Sequence, residues 1–182
     1  MSKIKELYLQ YKQWFLDTYL NDNTKVLLLK SMIIWFGAFV TGCMAVAYAK
    51  LFHIFEGFNE WWFDKNPKMA LVIVPILFII AWRMVVVYAP GAKGSGIPQL
   101  MASLELANAQ DRHLIKYLLS ARVLFIKFVS SLTMILSGAA VGREGPTLQI
   151  SGSVFKIIQD RLPVHWPKVS DRIMLMTGGA AG

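Results

Sequence analysis

Long apolar runs alternate along the chain with short polar or glycine- and proline-rich interruptions. Met69 to Pro90, MALVIVPILFIIAWRMVVVYAP, carries one charge, Arg83. It is long enough to cross a hydrocarbon core of about 30 Å at about 1.5 Å rise per residue. Ser31 to Ala49, SMIIWFGAFVTGCMAVAYA, carries none, and Leu114 to Val141 is a third apolar segment with Lys116, Arg122 and Lys127 in its first half. Runs of this length predict membrane spans; the alternative is buried helices of a soluble protein. The pattern predicts a long tilted helix over about residues 25–56, with Lys30 and Lys50 near its ends where they can snorkel. The aromatic cluster Phe58, Trp61, Trp62 and Phe63 is expected to follow it as an interface belt. A second span is predicted at about 68–89, after Pro67 and with a tolerable kink at Pro75. A third is predicted at about 114–137, where Ser130, Ser131, Thr133 and Ser137 let helices approach closely in lipid.

Two breaks interrupt the later part of the chain. In YAPGAKGSGIPQLMASLELA, Pro90, Gly91, Gly94, Gly96 and Pro98 end one helix, and Pro98 suits the first turn of the next, to about Leu106. Residues 107–113 read as a polar loop. GREGP, Gly142 to Pro146, forms the second break, before a helix from about Pro146 to Asp160. Pro163 and Pro167 close it, and Ser170 is placed to N-cap a last helix. That helix runs out at Gly182 with nothing C-terminal to pack against, so an incomplete unit is expected. At the other end, Ile4, Leu7, Tyr8, Tyr11, Trp14, Phe15 and Leu16 share one helical face over about residues 3–20, with lysines elsewhere. This predicts an amphipathic helix at the membrane surface, or packed on the protein body. The expected division is 1–24 as this cytoplasmic interfacial helix and 25–182 as the transmembrane domain. The first 25 residues lack the apolar core of a cleavable signal peptide.

Composition agrees with the spans. Of 182 residues, 55% are hydrophobic and 16% charged, against about 25% charged in a soluble domain. The net charge of +8 does not imply nucleic acid, because its distribution follows topology. Lys3, Lys5, Lys12 and Lys25 precede the first span, residues 56–68 are nearly balanced, and residues 93–122 are basic again. This predicts a cytoplasmic N-terminus, an outside loop near 56–68 and a cytoplasmic return. Cys43 is the single cysteine; it is expected to pack within the first span, and no disulfide or thiolate metal site can form within the chain. His53, His113 and His165 lack metal-ligand spacing and read as surface residues. GAKGSG lacks the G-x-x-x-x-G-K-[ST] spacing of a phosphate loop, and no strand precedes it.

The breaks carry the chemistry. A helix start exposes unpaired N–H groups at the positive end of the helix dipole, where anions bind. In a membrane, irregular backbone persists only where it is buried in protein or lines a wet cavity. Two Gly/Pro-interrupted apolar segments are the sequence pointer to a transporter's substrate site. GSGIP (Gly94, Ser95, Gly96, Ile97, Pro98) and GREGP (Gly142, Arg143, Glu144, Gly145, Pro146) are two such starts. The Ser95 hydroxyl is a neutral donor, which holds an anion without trapping it. The Glu144 carboxylate at a helix start can take an anion's place when ionised and vacate it when protonated. The plainer reading of Glu144 is a partner for Arg143 or a simple helix-start acid, but an ionisable residue inside a membrane is expensive and points to function.

These motifs resemble the CLC family of chloride channels and proton-coupled chloride transporters, from about residue 20 onward. The resemblance implies an all-α polytopic membrane protein with long tilted and broken, re-entrant helices, here the N-terminal half of an inverted-repeat fold. It implies that Ser95 coordinates a central chloride within a loop shaped by Gly94 and Gly96. Arg143, Glu144 and Gly145 would form a second filter segment, with Glu144 as gate and outer proton acceptor. Ser95 argues against the fluoride-specific branch. The family's GxFxP-type third filter segment, its later tyrosine and the inner proton-transfer glutamate of exchangers are not in the sequence, and its dimer-forming helices lie mostly downstream. Channel and exchanger therefore both stay open. The implied partners are chloride, protons, the lipid bilayer and, in the complete protein, a second copy, with no cofactor and no nucleic acid; the implied location is a plasma membrane, in bacteria the inner one. The alternative is a truncated or split membrane chain that needs a second half to conduct. An intramembrane enzyme using Glu144 as acid/base lacks a second catalytic group beside it.

Overall fold

The computed structural model describes residues 22–107, 113–163 and 166–182. The predicted N-terminal amphipathic helix, His165 and most of the 107–113 loop lie outside them. All regular elements among the described residues are helical. They are α1 (Asp22–Lys65), α2 (Pro67–Tyr88), a 3-10 turn (Pro90–Ala92), α3 (Ile97–Leu106), α4 (His113–Leu118), α5 (Ala121–Leu136), α6 (Glu144–Arg161) and α7 (Asp171–Ala181). The segments Asn23–Lys65, Pro67–Tyr88 and His113–Leu136 are long and apolar enough to cross a membrane.

Three boundaries differ from the sequence pattern. First, α1 does not stop near residue 56; its 44 residues span about 66 Å at 1.5 Å per residue. Gly57 alone does not break it, and the aromatic cluster lies on the helix itself. There Phe58 and Trp61 have ring centroids 5.8 Å apart, and the Lys65 ammonium sits 4.4 Å from the Trp61 ring. The stop comes at Asn66 (φ −140°, ψ 62°), because Pro67 disfavours helical backbone in the residue before it. Second, the third span is two helices. Ser120 adopts extended backbone and its hydroxyl accepts from Val123 N–H at 3.4 Å, capping α5 and ending α4. At the far end of α5, Gly138 takes φ 80°, and Ala139 N–H returns to the Met134 carbonyl, a Schellman closure. Third, α6 begins at Glu144 rather than Pro146, which leaves Pro146 in the first turn where no N–H is required.

Many large apolar side chains lie on the outside among the described residues. Trp35 is 75% exposed and Leu71 is 80% exposed, as suits side chains facing lipid. Cys43 is exposed on α1, so it does not fill a core position as the sequence pattern suggested. The buried centre is instead α6, rich in Ser, Gly, Thr and Gln, packed among α1, α3, α5 and α7. Its buried hydroxyls return to their own helix, Ser151 to the Leu148 carbonyl at 2.9 Å and Ser153 to the Gln149 carbonyl at 2.8 Å. A Cβ on Gly178 of α7 would lie 3.2 Å from Gly152 Cα, so small residues set the α6–α7 approach. Lys156 joins the same two helices, 2.6 Å from Asp160 and 3.8 Å from Asp171.

Gln149 ties the first break to this centre. Its fully buried Nε2 donates to the Gly91 carbonyl at 2.8 Å and the Leu118 carbonyl at 3.2 Å. Gln149→Leu withdraws the donor from both carbonyls and is expected to lower stability by about 1–3 kcal/mol. Detergent unfolding followed by circular dichroism checks this; an unchanged midpoint contradicts the clamp.

Candidate functional site

The first break descends from α2 through the Pro90–Ala92 turn into extended Lys93, then Gly94 (φ 83°), Ser95 and Gly96 (φ 115°). Glycine is the residue that takes such φ values without strain. Gly96 is the N-cap of α3, no side chain caps that start, and the first backbone bond is Leu100 N–H to the Gly96 carbonyl at 3.2 Å. The second break is built alike. Arg143 is the N-cap of α6, again without a side-chain cap, and Thr147 N–H reaches the Arg143 carbonyl at 3.2 Å. By contrast, α5 and α7 carry serine caps at Ser120 and Ser170.

The breaks meet main chain to main chain. A Cβ on Gly96 would collide with the Gly145 carbonyl oxygen, and one on Gly145 would lie 2.5 Å from the Ser95 oxygen. A cavity of about 690 Å³ opens beside this contact. Gly94, Ser95 and Ile97 line it from the first break, and Gly142, Arg143, Glu144, Gly145 and Pro146 from the second. Gly96 is buried at the contact and Pro98 is exposed on α3; neither lines the cavity. The other walls include an apolar stripe of α2 (Phe78, Ala81, Trp82, Val85), Lys93 ahead of the first break, and Lys127, Ser130, Ser131 and Met134 of α5.

Lys127 was not singled out as a site residue by the sequence pattern. It is 4% exposed, and its ammonium donates to the Ala92 carbonyl at 3.2 Å and to the Gly94 carbonyl. The legible signal was a lysine inside an apolar helix with Ser130 and Ser131 three and four residues on, hence on its own face. With Lys93, it gives the lining two lysines against one carboxylate, Glu144; Arg143 also borders the cavity.

Glu144 is exposed to the cavity, and among the described residues its carboxylate has no hydrogen-bond or ion-pair partner. The Arg143–Glu144 pairing is not formed. Arg143 turns to α1, where Nη1 meets His53 Nε2 at 3.2 Å and the guanidinium carbon lies 5.0 Å from the Phe52 ring centroid. His53 is exposed, as its sequence position suggested, but it is bonded to the second break. Among the described residues no group of three or more His, Cys, Asp or Glu could hold a metal. The cavity thus offers two helix starts without side-chain caps, one exposed hydroxyl, an excess of positive charge and a single unpartnered acid, a setting suited to a small anion.

Comparison with known proteins fits this arrangement. Residues 76–182, which contain both breaks, match the model of a family described as voltage gated chloride channel. The chain belongs to the voltage gated chloride channel family. A curated relative, the H(+)/Cl(-) exchange transporter ClcA of Citrobacter koseri, is 29% identical over 150 residues, 79% of this chain and 30% of the relative. The chain therefore spans about 30% of the length of that relative. No solved structure gives a significant match. The family match starts within α2, so α1, with His53 and Phe52, lies outside it.

Proposed function

We propose that the cavity between the two breaks is a segment of a chloride pathway and that Glu144 couples it to protons. The carrying observation is that Ser95 and an unpartnered Glu144 line one cavity beside two helix starts. The Ser95 hydroxyl and the first-turn N–H groups of α3 and α6 donate to the anion. Lys127 and Lys93 raise its local concentration. The ionised Glu144 carboxylate competes for the same donors at the start of α6. Protonation removes that competition, so anion passage and proton uptake are linked at one atom group. Similarity to a named H(+)/Cl(-) exchanger supports coupling over simple conduction. The basic flanks support a cytoplasmic N-terminus, and the similarity to a bacterial relative supports an inner-membrane location. The chain spans about 30% of that relative, and the working transporter is read as the complete protein, which holds the family's later filter segment and pairs with a second copy as the family resemblance implies.

The test is chloride flux with simultaneous proton recording in liposomes, using the chain alone and a full-length transporter that carries this sequence. Wild type is expected to lose flux as pH rises, by up to about tenfold per pH unit, the limit for one titrating group. Glu144→Gln is expected to keep chloride flux while losing proton movement and that pH dependence. Retention of both in Glu144→Gln overturns the assignment.

A further inference from the structure

We propose that His53 is a positioning residue for Arg143, and through it for the Gly142–Glu144 backbone, and that protonation of its ring releases this hold. The consequence for transport rests on the anion-pathway reading above; the contact itself does not.

A guanidinium has only donors, so the 3.2 Å contact from Arg143 Nη1 requires a lone pair on His53 Nε2. The neutral ring then carries its proton on Nδ1. That atom lies 3.4 Å from Glu56 Oε2, an acceptor. His53 and Glu56 are three residues apart and share a face of α1. The tautomer is thus set from both sides: Glu56 accepts from Nδ1–H, and Nε2 accepts from Arg143. Phe52, the preceding residue, puts its ring beside the same guanidinium.

The place of this contact gives it leverage. The segment from the end of α5 to the start of α6 is tied to α1 at both ends. Asn59 Nδ2 donates to the Leu136 carbonyl at 2.6 Å where the segment begins, and His53 holds Arg143 where it ends. The Arg143 carbonyl accepts from both N–H and hydroxyl of Thr147, so the anchored residue is also the N-cap of α6. Glu144 follows directly.

The charged groups in contact with the ring are Glu56 of α1 and Arg143 of the break; along the chain, Lys50 lies three residues before His53 and Glu144 follows Arg143. Among the described residues, α2, α5 and α7 send no charged side chain into bonding distance of the ring; Lys127 of α5 is turned to Gly94. Histidine is the side chain that changes charge near neutral pH. Once protonated, Nε2 is a donor facing a donor, and two positive charges oppose each other at that contact. Arg143 is released while Glu56 pairs more strongly with the imidazolium. This proton sensitivity is separate from that of the Glu144 carboxylate.

The uniformly 15N-labelled chain in nanodiscs provides the first test, with the His53 ring assigned among the three histidines by its loss in His53→Gln. The neutral ring is expected to be Nδ1-protonated, the minor tautomer of free histidine, and to lose that preference in Arg143→Gln. In a Glu144→Gln background, which removes the neighbouring carboxylate's titration, the amide signals of Gly142, Arg143 and Gly145 are expected to shift with the His53 titration. They are expected to stay fixed across the same range in His53→Gln. An Nε2-protonated ring, a tautomer indifferent to Arg143→Gln, or amides that ignore the titration overturns the proposal whether or not the protein transports. Flux supplies the second readout. His53→Gln, which accepts from Arg143 at every pH, is expected to hold the neutral-pH behaviour into acid. His53→Leu is expected to show the acid behaviour throughout. Wild-type pH profiles in both variants overturn the transport consequence, and absence of flux from every protein, wild type included, tells against the pathway reading alone.

Discussion

Gly96→Ala and Gly145→Ala, made singly, are each expected to destabilise the protein by about 3 kcal/mol or more and, on the chloride-pathway reading, to abolish chloride binding at the cavity. At Gly96 two effects add. Backbone at φ 115° strains any residue with a Cβ, at about 1–3 kcal/mol. That Cβ also collides with the Gly145 carbonyl oxygen, which is main chain and cannot rotate away. At Gly145 the added carbon lies 2.5 Å from the Ser95 oxygen and 3.0 Å from its carbonyl carbon. Either substitution has to part the two breaks, and parting them dismantles the cavity. Gly42→Ala is the control, since a Cβ there meets nothing within 4 Å and lies on α1, where alanine favours helix. Unfolding midpoints in detergent and chloride titration calorimetry on the three variants decide the matter. Gly96→Ala behaving like Gly42→Ala contradicts the contact.

Lys127→Met has the second large effect, and it divides into two parts. The Ala92 and Gly94 carbonyls lose a charged donor in a buried place, which costs about 1.5–3 kcal/mol of stability. The cavity also loses one of its two lysines, and on the chloride-pathway reading chloride affinity is expected to fall about tenfold, equal to about 1.4 kcal/mol. Lys127→Arg separates the parts, because it keeps the charge while changing the geometry at the carbonyls. Affinity lost in Lys127→Met and largely kept in Lys127→Arg identifies the charge as the working element. Affinity unchanged in Lys127→Met confines the residue to structural support.

The legible features were those encoded by local composition. Long apolar runs located the spans, and the paired glycine–proline breaks marked the neighbourhood of both helix starts; at the first, few residues other than glycine accept the backbone of Gly94 and Gly96. Less legible were features decided by tertiary partners. The aromatic cluster after residue 56 has the composition of a loop at an interface, yet nothing in it breaks a helix, so α1 continues to Lys65. Ser120 sits in an apolar stretch whose hydropathy hides a helix boundary, although serine ahead of a fresh apolar run is a cap signature. The weakly polar α6 is the most enclosed helix because small hydroxylated residues bond to their own backbone and let neighbours close in. His53 is separated from Arg143 by 90 positions and belongs to a different helix, so no spacing rule links them.

The contact between Ser95–Gly96 and Gly145 works as a mechanical stop. Its two faces are carbonyl groups and glycine carbons, which have no rotamers to adjust and no charge to titrate. In the transport reading, the width of the passage between the two helix ends is therefore gauged by peptide geometry, whereas its electrical character is set by side chains on other elements. Substitutions at Lys93, Lys127 or the α2 wall retune selectivity and rate at constant bore. A change of bore requires a change of backbone.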